Sequence, residues 1–281
     1  MNENPAQPAP RPPLAYKNEE FLKSPDSRVI RILSEYLEPL SHFRRQRIRD
    51  TIVFFGSARI REDGPLGNYY KDARTLAEMV TQWSKTFRDR TYRYVICSGG
   101  GPGIMEAANR GAADGRGKNI GLNIGLPFEQ FPNPYITREL NFEFHYFFMR
   151  KFWFAYLAKA LVVFPGGFGT LDEMFELLTL AQTQKLAKKI TVLIYGPSYW
   201  KSVLNLDILA EKGAIAMKDR DLFQFVDTPQ EAFALLKANL TVDLEHEAAF
   251  EREHAMPDVG VPETPAPSAQ ELLGPDIAKT R

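Results

Sequence analysis

The stretch Leu161-Val162-Val163-Phe164-Pro165-Gly166-Gly167-Phe168-Gly169-Thr170-Leu171-Asp172-Glu173 decides the fold. Leu161–Phe164 is a continuous run of apolar residues, as expected of a strand buried on both faces. Pro165 stops the strand, and the glycines that follow form a compact backbone turn. Thr170 opens a helix expected over 170–184, as its cap and with a hydroxyl free to face an anion. Glu173 follows at the capping-box spacing, so a purely structural role for the Thr170/Glu173 pair is one reading. That role leaves the three preceding glycines unexplained.

The same strand–turn–helix grammar recurs on both sides. Asp50–Phe55, Tyr92–Cys97, Asn119–Ile124, Asn141–Tyr146 and Ile190–Tyr195 read as strands. Helical spacing covers Arg28–Phe43, Tyr69–Phe87, Gly103–Asp114, Phe148–Ala160, Ser198–Glu211 and Pro229–Asn239. Alternation of apolar strands with helices predicts an α/β protein: one domain, a parallel sheet with helices on both faces. In such a sheet, ligands bind in the loops after the strands' carboxyl ends. Domain boundaries are expected at 1–17, a disordered proline-rich tail, 18–250, the folded domain with a helical N-terminal extension, and 251–281, a second such tail. Five of the first thirteen residues are proline, and neither end carries the apolar residues a core needs.

Composition narrows the function. Thirty-five Lys and Arg balance thirty-five Asp and Glu, which speaks against a protein held on nucleic acid by bulk charge. One cysteine, Cys97, excludes an intramolecular disulfide and a cysteine-rich metal cluster. The four histidines form no HExxH pair. No apolar run approaches the ~20 residues of a membrane helix, and the first residues lack a signal-peptide pattern. A protein of a reducing compartment, the cytoplasm, is expected, with no metal, no cofactor and no membrane or nucleic-acid partner.

Two further strand ends carry glycine turns. Gly56-Ser57-Ala58-Arg59 offers a tight turn, a hydroxyl and a cation suited to phosphate, or simply an ordinary turn with a surface arginine. Ser98-Gly99-Gly100-Gly101-Pro102-Gly103-Ile104-Met105-Glu106 exposes peptide N–H groups ahead of a helix N-terminus, an anion site. It is not a dinucleotide fingerprint. Ile104 stands where the third glycine is needed, and the next strand ends around Asn123 with no Asp or Glu at its tip, where a dinucleotide's ribose would be held. GxxxxGK[ST] is absent too. Two anion-binding helix ends on one crevice suggest a small phosphorylated ligand. Between them, the basic pair Arg150-Lys151 interrupts the aromatic run Phe144–Phe154. A buried guanidinium needs a partner, which a ligand or Glu173 would supply.

Taken together, these residues resemble the LONELY GUY family, often labelled lysine decarboxylase-like, in its longer branch. The hallmark PGGxGTxxE stands at Pro165–Glu173, its Arg-Lys partner at Arg150-Lys151, with the turns at Gly56–Arg59 and Gly99–Glu106 and the segment Leu126–Gln130 also matching. The resemblance covers roughly 51–236. It implies a Rossmann-like domain, a homodimer or higher homo-oligomer, and a phosphoribohydrolase. Such an enzyme cleaves the N-glycosidic bond of a nucleoside 5′-monophosphate, AMP or N6-modified AMP (the cytokinin nucleotides), to free base and ribose 5-phosphate. The decarboxylase label has no support, since no motif identifies a Schiff-base lysine. A non-catalytic nucleotide or molybdenum-cofactor carrier of the same fold is the alternative.

The expected catalytic residues are Glu173, facing the oxocarbenium-like ribose, and Arg150, orienting the nucleotide and holding Glu173 ionised. The phosphate is expected on Gly166, Gly167, Gly169 and Thr170, helped by Arg59, Gly100 and Gly101. Gly56, Ser57, Gly103 and Lys151 complete the binding set. Asn123 and Glu129 are candidates for ribose or base, and Met149 for packing against the purine.

Overall fold

A computed structural model of the chain describes residues 11–87, 91–126, 131–185 and 189–253. Residues 1–240 form one compact unit and 241–281 a second. The boundary falls inside the last helix, whose described residues end at Glu253.

The seven strands are β1 (Thr51–Phe55), β2 (Val95–Ser98), β3 (Asn119–Ile124), β4 (Asn141–Phe144), β5 (Ala158–Val163), β6 (Thr191–Tyr195) and β7 (Gln224–Val226). They form one parallel sheet in the order β4-β3-β2-β1-β5-β6-β7. The central strand β1 pairs Val53 with Cys97 on one side and with Leu161 on the other. Every residue of β1, β2 and β6 is buried, because helices cover both faces of the sheet. The edge strand β4 alternates exposed Asn141 and Glu143 with buried Phe142 and Phe144.

The helices are α1 (Glu19–Lys23), α2 (Arg28–Arg45), α3 (Gly67–Ser84), α4 (Ile104–Asp114), α5 (Phe147–Leu157), α6 (Phe168–Gln182), α7 (Pro197–Val203), α8 (Asp207–Glu211) and α9 (Pro229–Glu253). Val53 and Phe55 of β1 share one core cluster with Phe43 of α2, Trp153 and Phe154 of α5, Met174 and Leu177 of α6 and Trp200 of α7. Ile52 and Phe54 point to the other face, by the strand's period of two. There Trp83 of α3 stacks on Tyr94 at 5.0 Å and meets Phe233 of α9 at 6.2 Å. Helices α3 and α4 approach closely at Gly111, where an added Cβ would lie 2.0 Å from the Arg74 carbonyl oxygen. Among the described residues no helix is long and apolar enough to cross a membrane.

Several element boundaries differ from the sequence expectation. The helix expected to run through Ala160 ends at Leu157, and Ala158 enters β5 with no loop between. Pairing of Ala158 with Thr51 and of Ala160 with Ile52 and Thr191 overrides alanine's helix preference. The single helix expected over 198–211 is two, α7 and α8. Between them the Asn205 side chain accepts from the Ile208 N–H, a local bond that competes with continued helix. The strand β7, three residues at the sheet edge, is too short to be read from periodicity.

The chain runs outward from β1 through β2 and β3 to β4, then returns to lay β5 against the other side of β1. The turns after β1 and β5 therefore diverge at the topological switch point, where α/β sheets open their crevice.

Candidate active site

Three glycine turns are stitched together at the switch point. Ser57 N–H donates to the Pro165 carbonyl (3.0 Å) and Ile104 N–H to the Ser57 carbonyl (3.1 Å). Glycine is required where these backbones touch. Gly103 has φ +70°, and an added Cβ would lie 2.3 Å from the Ser57 carbonyl oxygen. Gly100 has φ +74°, and its added Cβ would strike Asn123 Oδ1. Gly56 packs under Ile104.

A cleft of about 430 Å³ opens between the turns after β1 and β5, lined by Ser57, Arg59, Pro165, Gly166, Gly167 and Tyr199 among others. Helix α6 begins in its wall. The helix starts at Phe168 with Gly167 as its cap, so Thr170 lies inside the first turn and does not cap it. The capping-box reading of Thr170 and Glu173 is thereby corrected. Thr170 is buried beneath Gly166, where its hydroxyl leaves no room for a Cβ. Around Gly167 and Gly169 nothing lies within 4 Å of an added Cβ, and both are exposed. The first turn of α6 thus has open space beside Gly167 and Gly169, at the positive end of the helix dipole. Arg59 is exposed on the opposite lip, its N–H on Ser57 Oγ (3.1 Å).

The second glycine turn is committed to itself. Gly100 N–H donates to Ser98 Oγ (3.1 Å), and Asn133 donates its amide to the carbonyls of Gly100 (3.0 Å) and Gly101 (3.2 Å). Asn123 is buried and donates to Asn141 Oδ1 (2.7 Å) and to the Phe142 carbonyl (2.9 Å), holding β3 to β4. Met149 is a core residue. Glu129 lies outside the described residues.

Arg150 of α5 and Glu173 of α6 are brought together. Nη2 of Arg150 stands 3.3 Å from Glu173 Oε1, with side chains only 14% and 7% exposed. Arg150 Nε is buried with no acceptor among the described residues. Burial pushes the Glu173 carboxyl above its ordinary range, and the opposing pull of Arg150 and Lys151 does not overcome it. The Arg150 guanidinium pulls that value down, and desolvation sets the net direction. Lys151 turns to the other side of α6, 2.8 Å from both Asp172 and Glu176. Neither Arg150 nor Glu173 lines the cleft beside the glycine turns.

Some participants carried no signal in the sequence. Glu35 of α2 accepts from the N–H groups of His145 (2.8 Å) and Tyr146 (3.2 Å), capping the entry to α5 that carries Arg150. Trp153 Nε1 donates back to the Glu35 carbonyl (2.9 Å). Tyr199 O–H donates to the Gly166 carbonyl (3.0 Å), bracing the turn after β5 from α7. Glu106, at the end of a glycine motif, accepts from Tyr70 O–H (2.8 Å); burial pushes that phenol up to about 12, so it stays a donor. Among the described residues no group of three or more His, Cys, Asp or Glu could hold a metal ion.

Residues 105–236, which include Arg150 and Glu173, match the family model described as "Possible lysine decarboxylase". Over those residues the chain is similar to this family. Curated relatives carry a different activity in their names. The chain is 28% identical over 198 residues to the cytokinin riboside 5′-monophosphate phosphoribohydrolase LOG of rice (Oryza sativa subsp. japonica), covering 67% of this chain and 72% of that protein. It is 28% identical over 191 residues to the probable phosphoribohydrolase LOG6 of Arabidopsis thaliana, covering 68% and 89%. A solved structure of the Moco carrier protein from Chlamydomonas reinhardtii superposes over 69% of this chain and 98% of that one, with a TM-score of 0.46 and 20% identity.

Proposed function

We propose that the chain is a phosphoribohydrolase that splits nucleoside 5′-monophosphates, AMP or N6-modified AMP, into free base and ribose 5-phosphate. The observation that carries this reading is the buried Arg150–Glu173 pair. A carboxyl group withdrawn from water, freed from any capping duty and facing a guanidinium with an unused N–H, is an arrangement for chemistry rather than for stability. A carrier of the same fold would have no need of it. The names of the plant relatives point to the same bond.

In this reading the 5′-phosphate rests on the free amides at the start of α6, with Gly167 and Gly169 leaving it room and Arg59 closing the other side. Binding energy from the phosphate positions the distant glycosidic bond. As C1′–N breaks, its electrons go to the base and positive charge gathers on the ribose. The Glu173 carboxylate stabilises that charge and takes a proton from the water whose oxygen bonds to C1′, and an equivalent proton taken up from solvent neutralises the departing base. Arg150 orients the nucleotide through its spare N–H.

The proposed assembly is a homodimer. Helices α2 and α5 lie side by side, Tyr36 against Phe152 at 5.7 Å, and both present apolar side chains to solvent, among them Leu33, Leu37, Phe148 and Tyr156. A patch of that kind marks an interaction surface.

Incubation of the purified chain with AMP and with isopentenyl-AMP, followed by chromatography for free base, tests the activity and ranks the substrates. Release of neither base, while known phosphoribohydrolases run in parallel remain active, would refute it.

A further inference from the structure

A cleft of about 710 Å³ lies at the end of the sheet opposite the glycine turns, where β2 and β3 begin. Among the described residues five cations line it and no carboxylate does. Arg93 is spent on Asp50, 3.1 Å away. The other four meet only neutral groups among the described residues or none. Lys85 donates to the Gly115 carbonyl (3.1 Å). Lys118 donates to Gln46 Oε1 (2.7 Å) and lies 4.1 Å over the Tyr92 ring.

Cations near helix C-termini are ordinary, and that accounts for Lys85 and Lys118, which reach carbonyls there. It does not account for Arg47 and Arg116. Each follows a helix end in the left-handed region, φ 57° and 53°. The turns are closed by Ile48 N–H on the Phe43 carbonyl (2.9 Å) and Gly117 N–H on the Ala112 carbonyl (3.0 Å). Glycine takes such a position at least cost, and an arginine there is strained. Tyr94, φ 54°, lines the same cleft, so three of the four non-glycine residues with positive φ among the described residues gather on one wall. Strain concentrated in this way marks a place kept for binding.

We propose that this cleft binds an oligophosphate, a chain of two or more phosphoryl groups, free or carried on a nucleoside. Four cations without carboxylate partners among the described residues exceed what one phosphate can neutralise, and guanidinium forks suit phosphate oxygens. The volume is that of a small-ligand site.

Calorimetric titration of the full chain with tripolyphosphate, ATP and orthophosphate tests it. Tripolyphosphate and ATP are expected to bind at least roughly tenfold more tightly than orthophosphate, as multiple charge-assisted contacts imply. ATP exceeding tripolyphosphate identifies a nucleoside carrier; parity identifies the phosphate chain itself. The double variant Arg47→Gly/Arg116→Gly relieves both strained positions, so its Tm without ligand should be unchanged or higher while oligophosphate affinity falls at least about tenfold. Arg59→Ala, in the other cleft, should leave that affinity intact. Equal binding of orthophosphate, wild-type affinity in the double variant, or loss through Arg59→Ala would each overturn the proposal.

Discussion

Nη2 of Arg150 lies 3.3 Å from Oε1 of Glu173, joining the helix that enters β5 to the helix that leaves it. If this pair does the chemistry, Glu173→Ala should reduce base release from AMP by roughly 100-fold or more, the scale of losing a catalytic acid or base. Arg150→Ala should fall comparably. Wild-type rates in both variants, measured as free base by chromatography, would remove the pair from the mechanism.

The raised carboxyl also has a pH signature. Glu173 must ionise to face a cationic ribose, so the acid limb of kcat should lie above the ordinary glutamate value of 4.5. Removing Arg150 deletes the strongest force opposing the rise, and residual activity in Arg150→Ala should have its limb at still higher pH. Stability runs the other way. A carboxyl whose folded pKa is raised favours folding when protonated, and that contribution is lost as pH climbs through the folded value. Glu173→Gln, neutral throughout, should therefore melt above the wild type at pH 8, with the gap closing toward pH 4. An acid limb at or below 4.5 would contradict the desolvated environment.

The glycine turns divide into those that build the site and those that leave space in it. Gly103→Ala must hold φ +70° and press a methyl onto the Ser57 carbonyl, so a loss of about 1–3 kcal/mol is expected, read as a lower Tm. Gly169→Ala meets nothing within 4 Å and sits inside α6, so its Tm should hold or rise. Its methyl would intrude on the phosphate, and KM for AMP should rise severalfold with kcat little changed. Equal Tm losses in the two variants would mean that this division is wrong.

The sheet was legible because its central strands are buried on both faces, leaving apolar runs such as Leu161–Val163 ending at Pro165 and its glycines. Arg150 and Glu173 were legible as a pair through the motif that contains them. Two things were not. The start of α6 at Phe168 was hidden because Thr170 and Glu173 imitate a capping box, whereas the real cap, Gly167, has no side chain to announce it. The basic cleft was hidden because Arg47, Lys85, Arg116 and Lys118 are scattered along the chain and only the packing of helix ends gathers them. Net charge of zero conceals a local excess of that kind. Glu35, more than a hundred residues before the helix it caps, belongs to the same class of contact.

The outer faces of α2 and α5 give the assembly its test. Leu33 and Leu37 are 52% and 55% exposed, one helical turn apart, and Phe148 and Tyr156 stand out from the neighbouring helix at 54% and 47%. Leaving these side chains in water forfeits the stabilisation that burial provides, roughly 25 cal/mol per Å² of apolar surface. A second copy of the same face would recover it. Light scattering after size exclusion should give about twice 31.9 kDa at micromolar protein. Leu33→Glu/Leu37→Glu places two charges in the middle of the face and should halve that mass, with the far-UV circular dichroism of the wild type retained. A wild type that runs as a monomer at tens of micromolar, or a double variant that keeps the dimer mass, would place the interface elsewhere.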